Sequence, residues 1–315
     1  MRRGLAALAL LLLLAATDTP LPKGFSGDLE VGEFAQYHGT GTVQITLAGN
    51  HVNMPMDIDA ELRLAIVGQE TLDKKVYWWQ ETDATLKATS EEYGAGTRIA
   101  RVKWLVLRDD LLAGRRVKLA PGGIIPKKIL MSVDGGPTQT VDPADFDAFK
   151  RDNPHFFLLD NIDLSALQFV KHEPVETKGG TFDCYRYYLN QRQEVYSDKS
   201  NPSDKSDKSD PSDKADKTDH SASAGGASTP PTKEKPDYVL ALDGDLWASN
   251  DIPFSVASLN LDVYSSVAVG SSDLAGSDRT IQFSARVRFE LEDHGTNATS
   301  WLEEPHDTAN APPAH

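Results

Sequence analysis

Apolar and polar residues alternate strictly over two long stretches of the chain. In Asp57–Gln69, Ile58, Ala60, Leu62, Leu64 and Ile66 fall on one side and Asp57, Asp59, Glu61 and Arg63 on the other. Thr280–Glu292 repeats the pattern, with Ile281, Phe283, Ala285, Val287, Phe289 and Leu291 opposite Gln282, Ser284, Arg286, Arg288, Glu290 and Glu292. A period of two sends successive side chains to opposite faces of a strand, so each stretch predicts a strand with one buried face. Shorter strands are expected at Thr42–Ala48, Val76–Lys87, Arg98–Leu107, Val117–Ala120, Ile129–Val133, Thr181–Tyr188, Tyr238–Leu242 and Ala257–Val269, with turn signals such as Gly135-Gly136-Pro137 and Gly179-Gly180 between them.

Helix is scarce. Asp142 as N-cap and Pro143 at the first helical position predict a short helix running to Arg151, with Phe146 and Phe149 on one face. A weaker candidate spans Leu164–Val170. Many alternating strands with one or two short helices predict a mainly β fold, a curved antiparallel sheet with one apolar face.

Two segments stand apart from this pattern. Arg2 and Arg3 precede a run of only Leu and Ala from Leu5 to Ala16, which gives way to Thr17-Asp18-Thr19-Pro20. That order of positive, apolar and polar residues is the layout of a secretory signal peptide over residues 1–17, and the apolar run falls short of the about 20 residues a membrane span needs. The expected destination is the periplasm or the exterior. From Ser197 to Pro236 the composition shifts to Ser, Asp, Lys, Pro, Ala and Gly, with Ser-Asp-Lys recurring at 197–199, 203–205, 206–208 and 212–214. With no aliphatic larger than Ala, such a stretch buries too little to offset the entropy of ordering it, and a disordered loop is expected. It falls between two strand signals, so residues 18–196 and 237–315 are expected to form a single β-rich domain.

Charge changes the picture in one respect. The 315 residues carry 32 Lys and Arg against 47 Asp and Glu, a formal charge of −15. The 197–236 stretch holds eight acids and seven bases; without it and the two leading arginines, 39 acids face 23 bases. The acidity therefore belongs to the folded body, and it argues against a nucleic-acid partner, whose phosphates need Lys and Arg. Residues 101–141 run the other way, with Arg101, Lys103, Arg108, Arg115, Arg116, Lys118, Lys127 and Lys128 against three acids. That band could hold an anionic headgroup, or balance acidic neighbours as charge runs usually do.

Candidate chemistry is thin. No metalloprotease, nucleophile-elbow, phosphate-loop or dinucleotide motif occurs, and the eight His residues are scattered, so no cofactor, no metal and no catalytic residue is expected. His38-Gly39-Thr40-Gly41 predicts a hairpin turn. Asp57 and Asp59 pair on one face of a strand, where two carboxylates could act as acid and base or hold a cation; the competing reading is a solvated strand face. Asp243-Gly244-Asp245 offers a second such pair, with a turn as the competing reading. The single Cys184 rules out an intrachain disulfide, and its setting predicts a small packed hydrophobe rather than a nucleophile. Tyr77, Trp78, Trp79, Trp104, Phe182 and Trp247 are candidates either for a hydrophobic pocket or for plain core filling.

Three blocks carry a resemblance: Gly32-Glu33-Phe34-Ala35-Gln36-Tyr37, Gly180-Thr181-Phe182-Asp183-Cys184-Tyr185 and Leu246-Trp247-Ala248-Ser249-Asn250-Asp251-Ile252-Pro253-Phe254. They resemble secreted bacterial families of unknown function whose fold is similar to the half-barrel of periplasmic lipoprotein carriers. The blocks cover about a tenth of the chain, and the 197–236 insertion departs from the pattern between the second and third. The resemblance implies a sheet curved around an apolar cavity and transfers no activity. Together with the one-faced strands it leads to the expectation of a non-enzymatic envelope protein that binds or shields a lipid or other hydrophobic small molecule, with Leu62, Leu64, Trp78, Trp104 and Phe283 lining the ligand site. The alternatives are a structural or interaction protein with a filled core and a tethering loop, and, last, a hydrolase.

Overall fold

A computed structural model of the chain describes residues 23, 25, 29–47, 52–92, 94–114, 126–145, 166–195, 238–269 and 279–302. The expected signal segment, the strand at 117–120, most of the helix after Asp142 and the 197–236 stretch lie outside the described residues.

Among the described residues, eleven strands form one open antiparallel sheet: β1 (Phe34–Leu47), β2 (Val52–Leu72), β3 (Lys75–Ser90), β4 (Gly94–Leu107), β5 (Lys128–Val133), β6 (Gln139–Val141), β7 (Leu167–Thr177), β8 (Gly180–Val195), β9 (Tyr238–Ala248), β10 (Val256–Val269) and β11 (Arg279–Gly295). Their spatial order is β6-β5-β4-β3-β2-β1-β11-β10-β9-β8-β7. Neighbours in space are therefore neighbours in sequence except at β1–β11, the pairing that joins the two ends of the sheet's chain. A seven-residue helix, α1 (Arg108–Gly114), follows β4, and Asp142 caps the start of a second helical turn by accepting from the Ala144 amide at 2.7 Å.

The alternating stretches behave as their period requires. Leu62 pairs with Tyr37 across β2–β1 and Tyr37 with Leu291 across β1–β11, so the apolar sides of three strands share one face. A large core of buried residues spreads over that face from β3 through β1 to β8, and a smaller one gathers Leu29, Ile66, Trp78, Val102, Trp104, Val106, Leu111 and Ile129 at the β2–β5 end. On the opposite face, Trp79, Leu105 and Leu130 form a third cluster.

The sheet curls at its β7 side. Gly179, in the turn between β7 and β8, donates its amide to the Leu291 carbonyl of β11 at 3.2 Å, and Lys178 pairs with Glu292 at 2.8 Å. Glu173 of β7 reaches over β8 to accept from Trp247 Nε1 of β9 at 3.0 Å. One edge thus folds over the apolar face, while β6 at the other edge is three residues long, a length that offers little template for a further strand.

Three expectations are corrected. His38-Gly39-Thr40-Gly41 is not a turn but the middle of β1, paired on both sides. The glycines are there for space: a Cβ on Gly39 would fall 2.3 Å from the Phe289 ring, and one on Gly41 would fall 2.4 Å from the Arg286 carbonyl oxygen. Asp243-Gly244-Asp245 likewise lies inside β9, where a Cβ on Gly244 would meet Asn260 O at 2.1 Å. Leu164–Val170 is not the expected helix: only Ala166 among its described residues takes a helical turn, and Leu167–Val170 opens β7; a short apolar run suits either structure, and pairing with β8 decides it. The turn at Asp73-Lys74, with φ of 51° and 63°, was not signalled by glycine; two positive-φ residues are what a two-residue hairpin between twisted strands demands.

Candidate functional site

All five residues expected to line a ligand site fall on the apolar face, but not in one place. Leu62 and Leu64 are buried in the large core, with Phe283 packed half-buried at its margin. Trp78 and Trp104 sit in the smaller cluster beside Leu29 and Leu111. Leu291 stands in register with Tyr37 and Leu62, whereas Phe283 is eight residues further along β11, ~26 Å at 3.3 Å per residue.

Buried polar atoms break the apolar character of this face. The Tyr37 hydroxyl, in a side chain 1% exposed, and Trp78 Nε1, in one 6% exposed, are buried without a hydrogen-bond partner. Burial pushes the Tyr37 hydroxyl well above its ordinary range, so it stays protonated. A buried donor left unsatisfied costs about 1–3 kcal/mol, which makes such atoms pointers to an absent partner. Tyr37 was not legible as a candidate, because only the pairing of β1 with β2 and β11 puts it inside.

Cys184 is fully buried, and desolvation, followed by Asp183, Glu173 and Asp251, pushes its thiol up to about 12. A thiol so hard to ionise packs rather than attacks. Among the described residues no group of three or more His, Cys, Asp or Glu side chains stands close enough to hold a metal ion. No helix among them is long and apolar enough to cross a membrane.

The polar face carries two contrasting arrangements. Over β2–β4 the residues 299–302 lie across a buried ionic cluster. Glu81, 1% exposed, accepts from Ser300 Oγ at 2.6 Å and from the Trp301 amide at 2.9 Å; Arg63 lies 3.7 Å from it and donates to the Thr299 carbonyl at 3.4 Å. The Trp301 ring rests against the Arg63 guanidinium, 4.6 Å from its centroid, and against Arg101 at 5.4 Å. Arg101 is in turn ion-paired to Asp83, and Lys103 donates to the Leu302 carbonyl. Here the basic band meets the protein's own carboxylates and C-terminal backbone; Arg108 similarly pairs with Asp109, while Arg115, Arg116 and Lys118 lie outside the described residues.

Across β2, β1, β11, β10 and β9 the polar face instead holds an open groove of about 510 Å³. One row of its lining runs Asp57, Thr42, Arg286, Asp262, Asp243 from strand to strand, and the next runs Pro55, Gln44, Ser284, Tyr264, Ala241. Arg286 holds Asp262 by two bonds of 2.7 and 3.0 Å, which keeps that carboxyl below its ordinary range. Asp243 accepts from Tyr188 Oη and from Asn190 Nδ2 at 2.7 Å. Asp59, the partner of Asp57 in the sequence pattern, stands just outside, 3.5 Å from Lys87 Nζ and 3.8 Å from His38 Nε2.

No protein-family model matches the chain, and no curated protein matches it. Solved structures that it is similar to include a candidate lipoprotein of Parabacteroides distasonis, at 11% identity and a TM-score of 0.26, and a candidate exported protein with a YmcC-like fold from Bacteroides fragilis, at 9% and 0.25. Each match covers 87% of this chain and 100% of the other. Neither is described as a lipoprotein carrier, and at these TM-scores the likeness carries no weight for function.

Proposed function

We propose that the chain is an exported, non-enzymatic protein of the cell envelope or exterior whose apolar sheet face takes a hydrophobic ligand bearing a neutral hydrogen-bond acceptor. The observation that carries this reading is the unpartnered Tyr37 hydroxyl in the large core. A protonated phenol surrounded by apolar side chains matches an ester, carbonyl or hydroxyl oxygen; an anion there would lack a counter-charge and bear a desolvation cost of several kcal/mol. Trp78 Nε1 offers a second donor near Trp104, so Leu62, Leu64 and Phe283 on one side and the two tryptophans on the other would line two parts of one face.

Organic extraction of the native protein followed by mass spectrometry, and titration with a fluorescent acyl-ester probe, test the reading. Bound neutral lipid, and probe binding weakened about tenfold by Tyr37→Phe, are the expected results. Absence of lipid together with probe binding unchanged in that variant would sink it. Tyr37→Phe also has a thermal readout: the ligand-free protein should melt higher, because the variant removes an unsatisfied donor.

A second reading has an observation of its own. Leu62, Leu64, Trp78 and Trp104 are each no more than 6% exposed, as residues of a filled core would be. In that case the protein acts through its surface, as a structural or interaction protein, and the extraction experiment separates the two.

A further inference from the structure

The groove on the polar face differs from the rest of that face in what it leaves unpaired. Elsewhere the strand surface is laced with ion pairs, such as Lys87 with Asp59, Arg288 with Glu290 and Arg186 with Asp245. In the groove, Asp57 has no ion pair among the described residues, and the side chains of Gln44 and Tyr264 make no hydrogen bond among them. Small side chains, Thr42, Ser284 and Ala241, form the floor between longer ones, which is why the surface dips there. Five strands set about 4.8 Å apart make the groove ~19 Å long across the strand direction.

The charge pattern selects the occupant. Asp57, Asp262 and Asp243 oppose an anion. Arg286 at mid-groove is already neutralised by Asp262 and supplies no anion site, while Asp57 and Asp243, the carboxylates without a basic partner among the described residues, stand at opposite ends of the row, four strand spacings apart, so a compact cation meets only one of them. What remains is a neutral, extended ligand that offers both donors and acceptors: its hydroxyls can donate to the Asp57 and Asp243 carboxylates and accept from Gln44 and Ser284. The Tyr264 side chain, 38% exposed, gives an apolar ring on which a C–H-lined surface can rest. We propose that this groove is a binding site for a short neutral oligosaccharide, separate from the apolar face and independent of what that face holds.

The test is a titration of the full chain with cellotetraose, maltotetraose and chitotetraose, followed by saturation-transfer NMR and calorimetry, with spermine and a sulfated oligosaccharide as charged probes. At least one neutral tetrasaccharide should saturate the protein below ~10 mM, and Tyr264→Ala and Asp57→Ala should each weaken it about tenfold. Ser284→Trp, which fills the floor, should abolish binding with the melting temperature unchanged; all three positions face solvent on the sheet's outer side, and Tyr264→Ala stands as the test even if the larger substitution unfolds the chain. Saturation by none of the three sugars, binding equal in wild type and Tyr264→Ala, or tighter binding of spermine or the sulfated sugar would each overturn the proposal.

Discussion

Two regions of the sheet, on either side of β1, handle charge in opposite ways on the same polar face. Over β2–β4 the face is covered: residues 299–302 shut Glu81, Asp83 and Arg63 away from water, and every oxygen of Glu81 meets a donor. Over β9–β11 the face is open, and Asp262 and Arg286 pair in contact with solvent. The sequence motif is the same in both places, a carboxylate opposite an arginine on a neighbouring strand. Burial makes the first pairings structurally decisive and leaves the second almost neutral, because losing one partner of a buried pair strands the other charge, whereas water replaces an exposed one.

Substitutions can break that comparison. Glu81→Ala should cost about 3–5 kcal/mol, since it strands Arg63 and three donors of the C-terminal segment; a loss in urea-melt stability under about 1 kcal/mol would mean that the segment is not docked through Glu81. Leu261→Ala, in a side chain fully buried in the large core, should cost about 2–5 kcal/mol by the same measurement, whatever the charges above it do. Gly244→Ala should cost about 1–3 kcal/mol, because its Cβ would strike the backbone of β10, which cannot turn aside. The atoms nearest a Cβ on Gly39 belong to the Phe289 side chain rather than to backbone, so Gly39→Ala should cost less. Asp262→Ala should change stability by less than about 1 kcal/mol, and a loss comparable to that of Glu81→Ala would end the contrast between the two regions.

Acid separates the regions by sign. Asp83 is raised above the ordinary carboxylate range, chiefly by burial, with Arg101 opposing. The native carboxyl therefore takes a proton before the unfolded one does, and its contribution to stability improves as the pH falls through the folded value. Asp262 is lowered by Arg286, and Glu173 by Lys171 and Trp247, so their contributions are present above the unfolded carboxylate pKa, near 4, and fade as the pH falls through the lower folded values. Melting temperatures between pH 3 and 6 should show Asp262→Asn flattening the acid loss and Asp83→Asn removing an opposing gain.

Most strands were legible because a period of two needs only a few residues to be recognised. Leu62 and Phe283 were placed on the buried face by their neighbours alone, and the Asp142 cap by its Pro143. What was missed depended on contacts far along the chain. Gly39, Gly41 and Gly244 resemble turn glycines until the side chain or backbone of the next strand is seen to need their space. β7 could not be distinguished from a helix while β8 was unseen. The five candidate ligand residues share a face, yet their spread along the strands, and the unpartnered Tyr37 hydroxyl on the strand beside Leu62, follow from strand register, which no local window holds.

The sequence by itself determined the class of the molecule: a mainly β chain with one-faced strands, an acidic body and a single packed cysteine, all properties set by alternation and composition. Only the tertiary structure decided which charges are buried, where the polar face sinks into a groove and which hydroxyl is left without a partner. Those depend on β1 closing against β11 and on residues 299–302 crossing β2–β4, pairings between segments more than two hundred residues apart.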